Sequence, residues 1–179
     1  MERLADVVIL PAGPADAADL GDLHVTTWRQ AYPGLLPQAY LSAMRPEQHA
    51  RRFHAQLTKA RPGEVVLAAE GAVGLVGYCA ASRLTAGNRL ADAEVFTLYL
   101  LKSVQGAGLG RRLLIAAART LAADGAGSLV IWVLSRNTGA RGFYERLGGK
   151  AIGQRPVSGW GGGLLETAYR WDDIGKLAV

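Results

Sequence analysis

Gln105-Gly106-Ala107-Gly108-Leu109-Gly110 is the stretch on which the reading of this 179-residue chain turns. It sits between a strand-like run at 91–101 and a helix-like run at 108–123. Glycines at a strand-to-helix turn let backbone N–H groups approach an anion closely, and the helix that follows adds the positive end of its dipole. The stretch therefore reads as a cradle for a phosphate or pyrophosphate. Its spelling departs from two common nucleotide loops. A Walker loop needs Gly-Lys-Ser/Thr, but Gly110 is followed by Arg111 and Arg112. A dinucleotide fingerprint needs G-x-G-x-x-G, and that spacing counted from Gly106 ends on Arg111.

Outward from the cradle, the periodicity alternates between strand and helix. Upstream, 64–69 and 73–82 read as two strands turning at Glu70-Gly71, followed by the β-branched and aromatic run at 91–101. Before them come a short strand at 7–11 and helical patterns at 15–32, 37–44 and 46–59, the first stopped by Pro33-Gly34. Within 108–123, Leu109, Leu113, Ala116, Ala117 and Leu121 form an apolar stripe. Downstream, 128–134 is apolar throughout, as in a strand buried on both faces. A helix at 137–147 ends at Gly148-Gly149, and 151–154 and 164–171 close the pattern as a strand pair. No repeat or linker interrupts it, and one mixed α/β domain over 6–175 is expected.

Composition bounds the function classes. Half the residues are hydrophobic and a fifth are charged, as in an ordinary globular protein. The net charge of +5 comes mainly from scattered arginines, which suits small anionic ligands and gives nucleic-acid binding no support. Cys79 is the only cysteine and lies in an apolar run, so it reads as a small buried residue. No signal-like or membrane-length apolar segment is seen, and a cytoplasmic location is the default expectation. His24, His49 and His54 lack metal-ligand spacing; no metal is expected, and each reads as a surface or helix-face histidine.

With these elements in order, two motifs resemble the GCN5-related N-acetyltransferase (GNAT) family. Gln105 to Gly110 fits that family's Q/R-x-x-G-x-G/A loop after the fourth strand. Asn137, Ala140 and Phe143-Tyr144-Glu145-Arg146-Leu147-Gly148 reproduce its asparagine-led helix with an aromatic signature. The resemblance implies a mixed, mostly antiparallel twisted sheet of six to seven strands. That sheet would be splayed between strands 4 and 5, with helices on both faces. It also implies acetyl-CoA as co-substrate and acetyl transfer to a primary amine. Gln105, Gly106, Ala107, Gly108, Leu109 and Gly110 would hold the pyrophosphate with Arg111. Backbone at Leu98, Tyr99 and Leu100, together with Asn137, would hold the pantetheine arm like an added strand.

Direct attack of an amine on a thioester calls for a base, an oxygen-stabilising donor and an acid for the departing thiolate. Tyr144 matches the family tyrosine near the sulfur, though it also reads as a helix aromatic packing beside Phe143. Glu94 is the base candidate. Strict alternation puts it on one strand face with Phe96, Leu98 and Leu100, where apolar neighbours would raise its pKa. A water in the same role is the alternative, as is a strand-end carboxylate paired with an arginine. Asn137 also suits a helix cap. Arg111 and Arg112 each read equally as phosphate ligands or solvated surface groups.

Trp28 and Tyr32, on the segment leading to Pro33-Gly34, resemble the acceptor-pocket wall of bacterial small-molecule members, and Trp160 in a glycine-rich loop joins them as a cover. For Trp28 alone, ordinary packing on the sheet is the better-supported reading. A small-molecule amine is the expected acceptor; a protein N-terminus or lysine, or a catalytically silent acyl-CoA-binding module, are the alternatives. The apolar C-terminal strands and 174–179 offer an edge for a homodimer, by analogy with relatives.

Overall fold

The computed structural model describes residues 6–59, 61–85, 87–157 and 163–177. The chain runs β1 (Val8–Pro11), a 3-10 turn at Pro14–Asp16, α1 (Ala17–Ala31), α2 (Gln38–Ala43) and α3 (Pro46–Thr58). It continues through β2 (Glu64–Gly71), β3 (Gly74–Arg83), β4 (Ala93–Leu100), a 3-10 turn at Lys102–Val104, α4 (Leu109–Ala123) and β5 (Leu129–Leu134). α5 (Thr138–Arg146), β6 (Lys150–Pro156), β7 (Leu165–Trp171) and α6 (Ile174–Leu177) complete it. The strands make one seven-stranded sheet in the order β1-β2-β3-β4-β5-β7-β6. Every neighbouring pair is antiparallel except β4 with β5, which is parallel.

Helices cover both faces for reasons visible in their stripes. α4 buries Leu109, Leu113, Leu114, Ala117 and Leu121 against Val65, Leu67, Cys79, Val95 and Ile131. α1 lays Leu20 and Leu23 over Val66, Tyr78 and Ala80 on the other face. α3 crosses α1 at Gly21, where an added Cβ would lie 2.6 Å from the Pro46 carbonyl oxygen and 2.8 Å from the Ala50 nitrogen. Only glycine permits that approach. β5 is buried on both faces, with Leu129 and Ile131 in the α4 core and Val130 packed against Ala91 and Ala168.

Three expectations need correction. The β2–β3 turn falls at Ala72-Val73, two residues later than expected, because Gly71 still pairs with Gly74. Strict alternation fails in β4: Ala81 pairs with Val95 and Ala80 with Thr97, leaving Phe96 as an extra residue. This bulge puts Glu94 on the face of Thr97 and Tyr99, while Leu98 returns to the α4 face with Val95. Ile174 and Leu177 are buried in the α4 core, so they form no exposed apolar edge.

Candidate active site

The bulge in β4 coincides with a parting of the sheet. β4 and β5 pair only at Ala93–Leu129, Glu94–Val130 and Val95–Ile131, and beyond these residues they separate. A cleft of about 820 Å3 fills the gap, and both expected halves of the site open onto it. Phe96, Leu98, Tyr99 and Leu100 line one bank; Ile131, Val133, Leu134, Asn137 and Tyr144 line the other.

The glycine turn closes one end. Gly106 (φ +80°) and Gly108 (φ +89°) occupy the left-handed region, and a Cβ at either would meet no heavy atom within 4 Å. The backbone there is exposed beside free space, and Gly108 caps the N-terminus of the 15-residue α4. Gly110 has a different task. A Cβ on it would stand 3.1 Å from Leu100 Cδ1 and 3.3 Å from Phe143 Cζ, so its smallness lets α4 sit close to β4 and α5. Gln105 Nε2 donates to the Leu100 carbonyl (3.0 Å), and the Lys102 N–H donates to Gln30 Oε1 (2.9 Å), tying the turn to β4 and α1.

Of the residues expected around the turn, Gln105, Gly106, Gly108, Gly110 and Arg111 line the cleft. Ala107 is not on its lining, and Leu109 points into the core beneath α4. Arg112 turns away: its Nη2 donates to the Val7 carbonyl at 2.8 Å.

On the opposite bank, Asn137 caps α5, its Oδ1 accepting from the Ala140 N–H at 3.2 Å. Tyr144 is buried with its ring against Phe143, Tyr169 and Trp171, yet it borders the cleft. Burial pushes its pKa well above the usual phenol value, which keeps its proton in place.

The other end of the cleft is aromatic and carries one ion pair. Trp28 and Tyr32 of α1 project there, with the Tyr32 and Tyr99 hydroxyls hydrogen-bonded at 2.7 Å. Facing them are Trp132, Val157 and Glu166. Glu166 pairs with Arg155, whose guanidinium lies 3.8 Å above the Trp132 ring. Glu94 stands within the field of this pair. Burial raises its pKa; Arg155 opposes the rise and Glu166 adds to it. Glu94 itself is not on the cleft lining, whereas Glu166 is. Trp28 Nε1 and Trp132 Nε1 are buried with no acceptor among the described residues. Each unpaired donor costs about 1–3 kcal/mol, which a bound acceptor would recover. Trp160 lies outside the described residues.

Sequence reasoning missed Glu166, Arg155 and Trp132. Pairing brings Arg155 opposite Glu166 and Trp132 opposite Ala168, a grouping that single-strand patterns cannot reveal. It also took His24 for an ordinary helix histidine. The structure buries it with Nδ1 2.6 Å from the Tyr78 hydroxyl and its ring stacked on His49. Cys79 is fully buried, as its apolar run suggested, and burial pushes its thiol up to about 12. Among the described residues no His/Cys/Asp/Glu group is placed to hold a metal, and no helix is long and apolar enough to cross a membrane.

A sheet parted between parallel strands 4 and 5, with a glycine turn and helix N-terminus at the head of the gap, defines an acyltransferase architecture. Residues 25–149 match the model of the acetyltransferase (GNAT) family, and the chain belongs to that family of acetyltransferases. It is 26% identical to the uncharacterized N-acetyltransferase YuaI of Bacillus subtilis over 172 residues, 96% of each chain. Its fold is similar to the PaiA N-acetyltransferase of Thermoplasma acidophilum in complex with coenzyme A, at TM-score 0.74 and 17% identity, covering 92% of this chain and 99% of that one. It is also similar to YncA of Salmonella typhimurium with its cofactor acetyl-CoA, at TM-score 0.69 and 22% identity over 94% of each chain.

Proposed function

We propose that this acetyltransferase moves an acetyl group from acetyl-CoA to the primary amine of a small molecule, by direct attack in a ternary complex. The observation that carries this reading is the shared cleft. The parted edges of β4 and β5, the open glycine turn and the aromatic end all border one cavity of about 820 Å3. The fit to the coenzyme is physical. Gly106 and Gly108 leave room beside exposed backbone N–H groups, Arg111 adds charge, and the stretch at Leu98, Tyr99 and Leu100, paired with β3 but not with β5, turns an open edge to a pantetheine arm. The coenzyme A-bound and acetyl-CoA-bound relatives support the same donor.

Acetyl-CoA supplies the thioester carbonyl to be attacked and the thiolate that leaves. Tyr144, its phenol held protonated by burial, donates a hydrogen bond to the departing sulfur and passes a proton to it only as it takes up the one that the acylated nitrogen loses, so that no buried phenolate remains. Asn137 orients the arm from the β5 side. The amine proton passes to Glu94, directly or through a water, since Glu94 stands just off the lining. Trp28 and Tyr32 wall the acceptor, and Glu166 presents a carboxylate to its ammonium form before the proton leaves. The enclosure by Trp28, Tyr32, Leu36, Trp132 and Val157 supports a compact acceptor over a polypeptide segment.

Calorimetric titration with acetyl-CoA, followed by thiol release across panels of small amines and peptides, tests this reading. Saturable binding and faster turnover with a small amine are expected. Absence of coenzyme binding would overturn the donor, and turnover restricted to peptides would overturn the acceptor class.

A further inference from the structure

A second cavity, of about 280 Å3, opens between α1, α2 and α3, away from the glycine turn. Its walls are ring faces. His24 lies 5.0 Å from Trp28, 4.2 Å from His49 and 6.1 Å from Phe53 between centroids, and Trp28 lies 6.3 Å from Tyr40. Its charge is of one sign. Arg52 and His49 of α3 border it, and no Asp or Glu is among its lining residues. The titratable and charged groups facing His24 are His49 and Arg52 from α3, Tyr78 from β3 and Tyr99 from β4, with Tyr40 of α2 on the same lining. Burial first, then the charges of His49 and Arg52, push the His24 pKa down, and burial and Arg52 do the same to His49. The wall this cavity shares with the large cleft is Trp28, whose buried indole N–H has no acceptor among the described residues. Flat ring walls, a guanidinium with no carboxylate on the lining and a histidine that would gain a proton beside an anion together describe a receptor for one kind of ligand.

We propose that this cavity binds a small organic anion with a flat apolar body, of which an aryl carboxylate is the simplest. The carboxylate lies against Arg52 and His49, and the ring stacks among His24, Trp28, Tyr40 and Phe53. Arginine and histidine supply N–H donors to the oxygens, and the anion offsets the field of Arg52 and so favours a protonated His49. Because Trp28 also walls the large cleft, an occupant here would be sensed at its aromatic end.

The test follows the histidine ring signals by NMR, assigned with His49→Gln and His54→Gln, as benzoate is added at constant ionic strength. His49 shifts saturably and its apparent pKa rises by about one pH unit, as expected when an anion joins a cation. Exposed His54 does not respond. Arg52→Gln abolishes the response, while Arg51→Gln, on the same helix but off the cavity lining, retains it. Inorganic phosphate, having no apolar body, acts more weakly than benzoate. A non-saturating shift, equal movement of His49 and His54, an unchanged response in Arg52→Gln, or phosphate matching benzoate would each overturn the proposal. These readouts use no coenzyme, so they stand or fall separately from acetyl transfer.

Discussion

Glu94 shows how much one extra residue can change. Period-two alternation places it with Leu98, but the bulge at Phe96 turns it to the face of Thr97 and Tyr99, into the field of Arg155 and Glu166. Residue types at the site were legible because the two GNAT motifs keep fixed spacing. The side-chain directions were not, since a bulge has no sequence mark of its own. A prediction follows from the raised pKa of Glu94. A base must be ionised, so if Glu94 takes the amine proton, kcat falls as pH drops through a value above the ordinary glutamate range. Glu94→Gln then lowers kcat by about 10²-fold or more and removes that acid limb. A surviving limb at the same pH would assign the proton to another group. Tyr144→Phe is expected to lower kcat by at least about 10²-fold while calorimetry gives a similar affinity for coenzyme A, because the phenol is asked to act on the leaving sulfur.

Elements were easier to read than side chains. The stripe of α4 and the apolar run of β5 each named a buried face, and those faces formed the core. The β2–β3 turn was misplaced because Val73 reads as a strand residue, whereas it sits 92% exposed at the turn. Glycines divide by what surrounds them, and their substitutions should divide in the same way. Gly21→Ala forces a Cβ against the backbone of Pro46 and Ala50, which cannot move without separating α1 from α3. It should cost about 1–3 kcal/mol in denaturant unfolding. Gly106→Ala has open space and suffers only the left-handed backbone penalty of about 1–2 kcal/mol. Its larger effect should be a weaker affinity for coenzyme A in calorimetry, since a methyl group would occupy the space beside the turn's N–H groups. Equal affinity in the Gly106→Ala protein would remove the turn from the coenzyme site.

At the scale of the whole molecule, the helical layer α1–α3 is joined to the sheet partly through His24, and acid should loosen that join. Folded, the ring is held neutral down to about pH 3 by burial first, then by the charges of His49 and Arg52. Unfolded, it takes a proton at the ordinary histidine value of 6.5. The unfolded state therefore binds the extra proton, and stability present above pH 6.5 is lost as pH falls toward 3. His49, lowered by the same causes, adds to the slope. Between pH 6.5 and about pH 5 most carboxylates are still ionised, so the histidines dominate there. The urea midpoint should decline across that window. His24→Gln should unfold more easily at pH 7, because the Tyr78 hydroxyl loses its 2.6 Å partner, and should decline less steeply below it. A variant whose midpoint falls as steeply as that of the parent would mean that His24 does not carry the acid sensitivity, and that the two layers are held together by Leu20, Leu23 and Tyr78 packing alone.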